Sequence, residues 1–324
     1  MARLGVNISF YTGDPYPDLV ALGRDAEEAG YDCLMVPEGI AGNDALLCCY
    51  ILAAATERIH IVPNVANIYL RDPSLCAVTA ATVQQASHGR FMLGLGVSHR
   101  PVLEAMGIEM GNARQKLRNY TLAVRKAFSG EMAKKFGVRF PHPTETVPIY
   151  FGAVTMETVR LAGELADGVL LANCTAQRLS RMIRVARESA RQFGRRPDEV
   201  AVATTVSVYL HDNLKVAKEA ARAGMALYLG LPYYNRLLRN SGFEAEAEAG
   251  AAAWAQGDMA ALTAAVSDRV IDGVALYGPA SRCREQLAAM GESGVDMISI
   301  APGPVGGEDP LFSLKRCLAA LVPR

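Results

Sequence analysis

The sequence predicts an α/β protein folded as a (β/α)8 TIM barrel with insertion segments. Eight short apolar segments alternate with stretches of helical periodicity, and parallel strands need such helical crossovers. Residues 91–96 are apolar on both faces, which is typical of a strand in the middle of a parallel sheet. The alternative is an open doubly wound sheet, which eight short repeats favour less than a closed barrel. The predicted strands are 4–9, 32–37, 59–65, 91–96, 148–152, 168–172, 200–209 and 295–301.

Capping and turn residues set the predicted ends of the helices. Asn43 is expected to cap a helix that runs to about residue 56. Asp72 followed by Pro73 indicates a helix start, with an acidic cap and a proline at the first helical position. Thr155 opens a further helix, and Gly89 forms the turn into the central strand. We expect a single barrel domain over residues 1–324, with insertions at about 131–147 and 231–268.

Composition and charge restrict the function classes. The chain has 324 residues, 33 basic and 33 acidic side chains and a hydrophobic fraction of 51%, as expected for a soluble protein with a large core. A net charge of zero gives no electrostatic reason to expect nucleic acid as a partner. The apolar run at 45–55 is well short of the ~18 residues of a membrane span, and no signal peptide is visible before the first strand.

The cysteines and histidines indicate neither disulfides nor a metal site. The seven cysteines are odd in number, contain no Cys-x-x-Cys motif and lie mostly in apolar periodic segments. They are therefore expected to be reduced, packed residues of a cytoplasmic protein. The five histidines have no metal-ligand spacing, so no metal site is predicted.

Few polar residues follow the predicted strands, where a barrel places its active site. Glu38, Asn64-Val65, Ser98-His99 and Gly152-Ala153 occupy these positions. They include no lysine for a Schiff base and no paired carboxylates, which argues against an aldolase or a glycosidase. An apolar pocket with a few polar anchors instead suits a flat cofactor that carries out the chemistry.

Glu38 and His99 are the candidate catalytic residues, and each has a plainer alternative. Glu38 is a candidate catalytic acid or hydrogen-bond partner of a cofactor carbonyl, or else a solvated glutamate at a strand end. His99 is a candidate proton donor or substrate anchor, or else a histidine that caps a helix.

Glycines near these residues suggest where a ligand approaches the backbone. Gly94-x-Gly96 lacks the third glycine of a dinucleotide fingerprint, since that position is His99. Residues 152–155 leave a strand and open a helix, so their N–H groups suit a phosphate. Ala166-Asp167-Gly168 forms the next helix-to-strand turn. For both segments ordinary turn chemistry is the alternative.

Four collinear stretches resemble the bacterial-luciferase-like superfamily. They are similar to its deazaflavin-dependent branch, typified by methylenetetrahydromethanopterin reductase, and together they cover nearly the whole chain. The stretches are Gly89–Gly96 with Glu104–Ile108, Asn64–Pro73, Val147–Ala153 with Ala162–Gly168, and Gly278-Pro279 through Val295.

The resemblance implies a homodimeric (β/α)8 barrel that binds coenzyme F(420), an 8-hydroxy-5-deazaflavin, or else FMN at the carboxyl ends of its strands. It also implies a non-proline cis peptide at Asn64-Val65 or Val65-Ala66. The implied cofactor-binding residues are Asn64, Val65, Ala66, Gly96, Val97, Ser98, Gly152, Ala153, Val154, Ala166, Asp167 and Gly168.

The chain departs from the reductase branch at two positions that set substrate chemistry. The Asp-His that commonly follows strand two in that branch is Glu38-Gly39 here, and the Gly-Asp after strand four is Ser98-His99. The pterin substrate is therefore not carried over. The substrate pocket is expected to come from residues 131–146 and 231–254, with Tyr69, Tyr233 and Tyr234 as candidate walls.

Three functional hypotheses result. In the first, the protein transfers a hydride between reduced F(420) and a small unsaturated or oxidised molecule, such as an imine, enone or ketone, with Glu38 or His99 supplying a proton. The second is an FMN-dependent monooxygenase of the same superfamily. The third is a cofactor-binding protein without turnover. The first hypothesis is preferred, with a small molecule as the partner and neither nucleic acid nor a membrane.

Overall fold

The structure is a computed structural model that describes residues 2–8, 15–39, 43–130, 135, 137 and 146–322. In these residues the strands are β1 (Arg3–Asn7), β2 (Cys33–Val36), β3 (His60–Pro63), β4 (Ala66–Asn67), β5 (Leu93–Gly96), β6 (Ile149–Gly152), β7 (Gly168–Ala172), β8 (Ala201–Leu210), β9 (Ala275–Gly278) and β10 (Met297–Pro302). The helices are α1 (Pro15–Glu28), α2 (Ala45–Ala55), α3 (Pro73–Ala86), α4 (Arg100–Ala105), α5 (Ala113–Phe128), α6 (Met156–Leu165), α7 (Ala176–Gln192), α8 (Leu214–Gly230), α9 (Pro232–Arg239), α10 (Glu244–Gln256), α11 (Met259–Ala264), α12 (Asp268–Val274), α13 (Ala280–Gly291) and α14 (Pro310–Ala320).

The chain forms two compact units, and the candidate site lies in the one made of Thr12–Leu170 and Val185–Ala201. Here β2 pairs with β3, and β4, β5, β6 and β7 pair in that order, all in parallel. A parallel bridge between Ile61 and Phe91 joins β3 to the segment that leads into β5. Both side chains are fully buried, as are those of Leu93 and Phe151. The carboxyl ends of β4, β5 and β6 are therefore adjacent.

The second unit comprises Met1–Tyr11, Leu171–Arg184 and Val202–Arg324. In it β1 pairs with β10, β10 with β8 and β8 with β9, again in parallel. The insertion predicted at 231–268 forms helices α9 to α11. Strand β9 was not predicted; it pairs with the last four residues of β8, Ser207–Leu210.

The third predicted strand, residues 59–65, is divided in two. β3 ends at Pro63, which pairs with Val36 of β2, whereas Ala66 in β4 pairs with Leu95 of β5. The strand is interrupted because the chain changes partner between these residues. Asn64 and Val65 make this crossing, and the peptide bond between them is cis, as the resemblance implied.

Most helix starts agree with the prediction. The Asp72 carboxylate accepts a hydrogen bond from the Ser74 N–H at 2.8 Å, with Pro73 at the first helical position. Thr155 caps α6 through the N–H of Thr158. The prediction that Asn43 caps α2 is wrong, because Asp44 accepts from Leu46 and Leu47 at 2.9 and 3.1 Å. The helix begins one residue later than predicted, and the Asp44 carboxylate satisfies two of its N–H groups.

The structure can be compared with the predictions for the cysteines, membrane-spanning helices, the first insertion and the domain organisation. All seven cysteines lie within the described residues, where they are buried and form no disulfide. No helix of the described residues has the length and apolarity to cross a membrane. The predicted insertion at 131–147 falls mostly on residues outside the described ranges, and the single-domain prediction for 1–324 stays a prediction.

Candidate cofactor site at the carboxyl ends of β4, β5 and β6

Hydrogen bonds from neighbouring strands fix the segment between β3 and β4. The Asn64 N–H donates to the Val36 carbonyl of β2 at 2.7 Å. The Asn67 N–H donates to Oε2 of Glu38 at 2.6 Å, and the Ile68 N–H donates to the Gly96 carbonyl of β5 at 3.1 Å. The backbone around Val65 is thus held from both sides.

The Val65 side chain lies across two glycines of the neighbouring strands. A Cβ atom added at Gly96 would lie 2.1 Å from Cγ2 of Val65, and one added at Gly152 would lie 3.0 Å from Cγ1. Only a glycine fits at position 96 while Val65 keeps this place. Val65 is half-buried, so part of its surface remains open to a ligand. We call Val65 with Gly96 and Gly152 beneath it the Val65 shelf.

Glu38 contacts the shelf segment and an arginine. Its side chain is 5% exposed, with Oε1 2.5 Å from Nη2 of Arg71 and Oε2 on the Asn67 N–H. The same Nη2 lies 2.6 Å from Oδ2 of Asp44. Burial opposes the charge of Arg71, but its bonds to the two carboxylates outweigh this and raise its pKa. Glu38 is therefore not a solvated glutamate, and both of its oxygens act as acceptors.

His99 stands at the exit of β5. Ser98 has a left-handed backbone, with φ of +59°, which turns the chain into α4. His99 occupies the N-cap position of that helix, as the plainer alternative expects, but its side chain makes no capping hydrogen bond. Burial lowers the pKa of His99 below its ordinary 6.5, because the charged imidazolium is disfavoured away from water. The neutral ring at pH 7 carries one N–H donor and one acceptor.

Residues 152–154 lie on the same side of the strands as the shelf. Gly152 ends β6 directly below Val65, and the Ala153 N–H donates to the Leu170 carbonyl at 2.9 Å. Val154 is half-buried and leads to the Thr155 cap of α6. The structure thus brings together the predicted groups 64–66, 96–99 and 152–154, while a phosphate-binding role for 152–154 stays a prediction.

The structure does not bring the Ala166-Asp167-Gly168 turn to this group. Gly168 begins β7 and pairs with Tyr150, so the turn lies at the amino ends of β6 and β7. The Asp167 carboxylate accepts from the Ile149 N–H at 2.8 Å and pairs with Arg125 at 3.0 Å. Parallel strands direct their amino and carboxyl ends to opposite faces, so this turn serves the stability of the strand pair.

Two residues of the site were missed by the sequence interpretation. Arg71 lies in the Asn64–Pro73 stretch that carries the family resemblance, but it was assigned no role. Asn43 rather than Asp44 was predicted to cap α2. A single sequence carries no signal that these two residues and Glu38 meet, since they are separated by up to 33 positions. The helix-capping potential of an acidic residue directly before α2 was the only available indication.

The three tyrosines proposed as pocket walls are occupied in other contacts. The Tyr69 hydroxyl donates to the Met110 carbonyl at 2.6 Å, and the Lys116 ammonium lies 4.0 Å from the centre of its ring. Lys116 also lines a shallow cavity of about 450 Å³, together with Pro73, Asn112, Gln115, Asn119 and Tyr120. Tyr233 and Tyr234 belong to α9 in the other unit, where Tyr234 packs edge-on against Tyr228.

Comparison with known proteins identifies the family. Residues 3–297 match the family described as luciferase-like monooxygenase. The chain belongs to this family. It is 28% identical over 309 residues to 5,10-methylenetetrahydromethanopterin reductase of Methanolobus tindarius, which covers 92% of this chain and 94% of that protein.

Solved structures show the fold. The coenzyme F(420)-dependent tetrahydromethanopterin reductase of Methanopyrus kandleri matches with a TM-score of 0.80 at 20% identity over 99% of both chains. An F(420)-dependent secondary alcohol dehydrogenase matches with a TM-score of 0.76 at 16% identity, again over 99% of both chains. An FMN-bound 3,6-diketocamphane monooxygenase component from Pseudomonas putida matches at 0.70 and 18%, over 100% of this chain and 99% of that one. The predicted α/β TIM-barrel class is confirmed.

Proposed function

We propose that this protein is a coenzyme F(420)-dependent oxidoreductase that transfers a hydride between the reduced deazaflavin and a small unsaturated or oxidised substrate. The observation that carries the proposal is the Val65 shelf. It presents the half-buried apolar side chain of Val65, which sits directly on the backbone of Gly96 and Gly152, and a flat ring can pack on such a surface. The F(420)-dependent relatives, which align along nearly the whole chain, favour a deazaflavin over other flat cofactors.

The residues present fit such a ring. Val65 would support one face of it, and the absence of side chains at Gly96 and Gly152 gives the Val65 side chain its place. The residues that neighbour the shelf along the chain would complete the cofactor contacts: Asn64, Ala66, Val97, Ser98, Ala153 and Val154. When bound, the deazaflavin supplies or accepts the hydride.

The chain itself supplies a proton donor and apolar residues that exclude water from the bottom of the site. His99 is neutral at pH 7, and its ring N–H is the candidate donor to the substrate atom that becomes strongly basic as the hydride arrives, with the ring regaining a proton from solvent. Glu38 suits this task less well, since both of its oxygens accept hydrogen bonds. The apolar residues below the shelf, Leu93, Leu95 and Phe151, are buried and keep water from the floor of the site.

The substrate proposed is a small imine, enone or ketone. Ser98-His99 replaces the Gly-Asp pair of the reductase branch beside the expected ring position, so the pterin of the relative is not carried over. A half-buried neutral histidine suits a carbonyl or imine, because either becomes an acceptor of that N–H as charge develops on it.

Cofactor titration tests the proposal. The apoprotein is titrated with F(420) and, separately, with FMN, and binding is followed by fluorescence and visible absorption. We expect F(420) to bind more tightly, and the bound reduced form to be reoxidised by a member of a panel of imines, enones and ketones. Tight FMN binding without F(420) binding would favour the monooxygenase alternative. F(420) binding with no reoxidation across the panel would favour the storage alternative.

We also propose that the protein is a homodimer formed through α2 and α3. Neither helix contains a charged residue, yet both expose large apolar side chains. Leu47 is 62% and Leu75 59% exposed, and Tyr50 and Val78 lie one turn further along the same faces. An uncharged apolar face is compatible with an identical copy of itself, as a two-fold interface requires.

Sedimentation velocity checks the dimer. L47E and L75E each place a charge in the middle of the proposed interface and should produce monomers. L214E is the matched control, since Leu214 is similarly exposed, at 46%, but lies in α8 of the other unit. Dimers that persist in both L47E and L75E would contradict the proposal.

A cytoplasmic location is proposed as well. Seven buried thiols without a disulfide are typical of proteins from a reducing compartment. Titration of the protein in denaturant without reductant should count seven reactive thiols.

A further inference from the structure

We propose that Glu38 and Arg71 act together as a positioning pair that fixes the Val65 shelf, and that Glu38 is not the proton donor. This inference rests on the proposed function, because the shelf matters only if a flat cofactor is bound on it. It assigns a role to Arg71 and changes the one expected for Glu38.

The carboxylate of Glu38 contacts the segment that follows Val65 at two points. Oε2 accepts the N–H of Asn67, two residues after Val65, and Oε1 contacts the guanidinium of Arg71, four residues further on. Between these points the Tyr69 N–H donates to Oδ1 of Asn67 at 3.0 Å and the Leu70 N–H donates to the Asn67 carbonyl at 3.2 Å. One carboxylate thus closes residues 67–71 into a compact loop.

Arg71 connects this loop to a rigid element. Its Nη2 reaches Asp44, whose other oxygen caps the first turn of α2. The Arg71 side chain is 12% exposed and that of Glu38 5%, so water screens the pair only weakly. The chain of contacts runs from the amino end of α2 through Asp44, Arg71 and Glu38 to the Asn67 N–H.

The consequence for Val65 is geometric. Asn64 is fixed on β2 and Asn67 on Glu38 and β5, so Val65 lies between two anchored residues. If the Glu38 anchor is lost, only the ladder to β5 orients the second half of the segment. Val65 lies so close to Gly96 that a Cβ added there would be 2.1 Å from Cγ2, so a small shift of the segment would change the surface on which the ring is proposed to pack.

This arrangement also explains why Glu38 is not available as an acid. An anionic carboxylate is an acceptor at both oxygens, and here both positions are used, by a guanidinium and by a backbone N–H. To donate a proton, Glu38 would have to release one of these partners and leave it buried without an acceptor.

Cofactor affinity of three single variants tests the pair. E38Q keeps the shape of the side chain and removes its charge, whereas R71M keeps the length of the side chain and leaves Glu38 intact. E27Q is the matched control. Glu27 is another carboxylate of the same unit that accepts backbone N–H groups, from Glu57, Arg58 and Ile59, but at the amino end of β3.

We expect E38Q and R71M each to raise the dissociation constant for F(420) about tenfold, with the double variant E38Q/R71M no weaker than the single ones. E27Q should lower the melting temperature and leave the dissociation constant unchanged. Non-additivity is the signature of two residues that act as one unit.

Each other outcome is informative. If E38Q and R71M bind F(420) within twofold of the wild type while E38Q alone loses turnover, Glu38 is the proton donor and the inference is overturned, although the proposed function stands. If the two variants only lose thermal stability, as E27Q does, the pair is merely structural. If the wild type binds FMN and not F(420), the proposed function fails, and the same affinities measured with FMN still decide the role of the pair. A wild type that binds neither ring overturns both.

Discussion

The two ends of the strands in the site-bearing unit use charged side chains differently. At the amino ends, Glu27 accepts three backbone N–H groups, and Arg90 donates to five oxygens from Ala53, Thr56, Ile59 and Ser87. At the carboxyl ends, Val65 and His99 are only half-buried, and Val65 packs directly on Gly96 and Gly152. The charged side chains at the amino ends are used to satisfy backbone groups, whereas at the carboxyl ends apolar and polar side chains remain partly exposed.

This difference teaches how one barrel separates stability from function. Within the described residues Arg90 forms no ion pair at 4 Å or less. Burial lowers its pKa more than the nearby Glu27 and Glu57 raise it, yet Arg90 joins the last turns of α2 and α3 through their carbonyl groups. Negative partial charge collects at such helix ends and compensates the cation. Glu38 and Arg71 also form buried bonds, but these hold a segment that faces the open side of the strands.

Removal of Arg90 should have the largest effect on stability. R90M leaves five buried oxygens without this donor, and we expect the free energy of unfolding to fall by about 3–4 kcal/mol. Urea unfolding followed by circular dichroism measures the loss, while F(420) affinity of the folded fraction should be unchanged. R184M, at an exposed position of α7, is the control and should be neutral. A loss below 1 kcal/mol would mean that the amino ends are not the stabilising region.

Replacement of His99 should have the largest effect on catalysis. H99N retains a polar side chain but removes the ring N–H, and turnover with the best substrate of the panel should fall by about 100-fold. Cofactor affinity should change little. H88N is the matched control, because His88 is exposed at the amino ends and asparagine tolerates its left-handed backbone. Equal turnover in the two variants would show that the proton comes from elsewhere.

A methyl group at Gly96 should disturb the shelf. In G96A the new Cβ would meet Cγ2 of Val65 at 2.1 Å, so Val65 must move and F(420) affinity should fall about tenfold. The double variant V65A/G96A removes the clash, with the nearest remaining Val65 atom at 3.2 Å, and should regain part of the affinity. G291A is the control, since the nearest atom to its Cβ is 3.8 Å away. Lack of recovery in the double variant would contradict the shelf geometry.

The pH dependence of stability should reveal the smaller contribution of Glu27. Burial raises the pKa of this carboxyl, but three backbone hydrogen bonds and Arg58 together lower it by more than burial raises it. The folded-state pKa therefore lies below the ordinary 4.5. The stabilisation is therefore complete above pH 4.5 and is lost as the pH falls through the folded-state pKa. Urea midpoints between pH 7 and pH 3 should decline less in E27Q than in the wild type. Parallel curves for the two proteins would contradict this assignment.

The sequence predicted helix caps and strand bounds better than it predicted which strands pair and which residues meet. The caps at Asp72 and Thr155 and the bounds of β7 were predicted, because the relevant contacts lie within a few residues. The division of the third strand was not predicted, because it results from a change of partner from β2 to β5. Asp167 was placed with the cofactor residues by resemblance, although its position before β7 directs it to the opposite ends of the strands.

The sequence by itself determined the alternation of strands and helices, the family and the glycines that a ligand site requires. Hydrophobic periodicity, caps and close-packed glycines are encoded locally, so they can be recognised without the fold. Only the tertiary structure decided that Val65 lies over Gly96 and Gly152, and that Glu38, Arg71 and Asp44 meet. These contacts join residues between 27 and 87 positions apart, and their distances depend on how neighbouring strands pair.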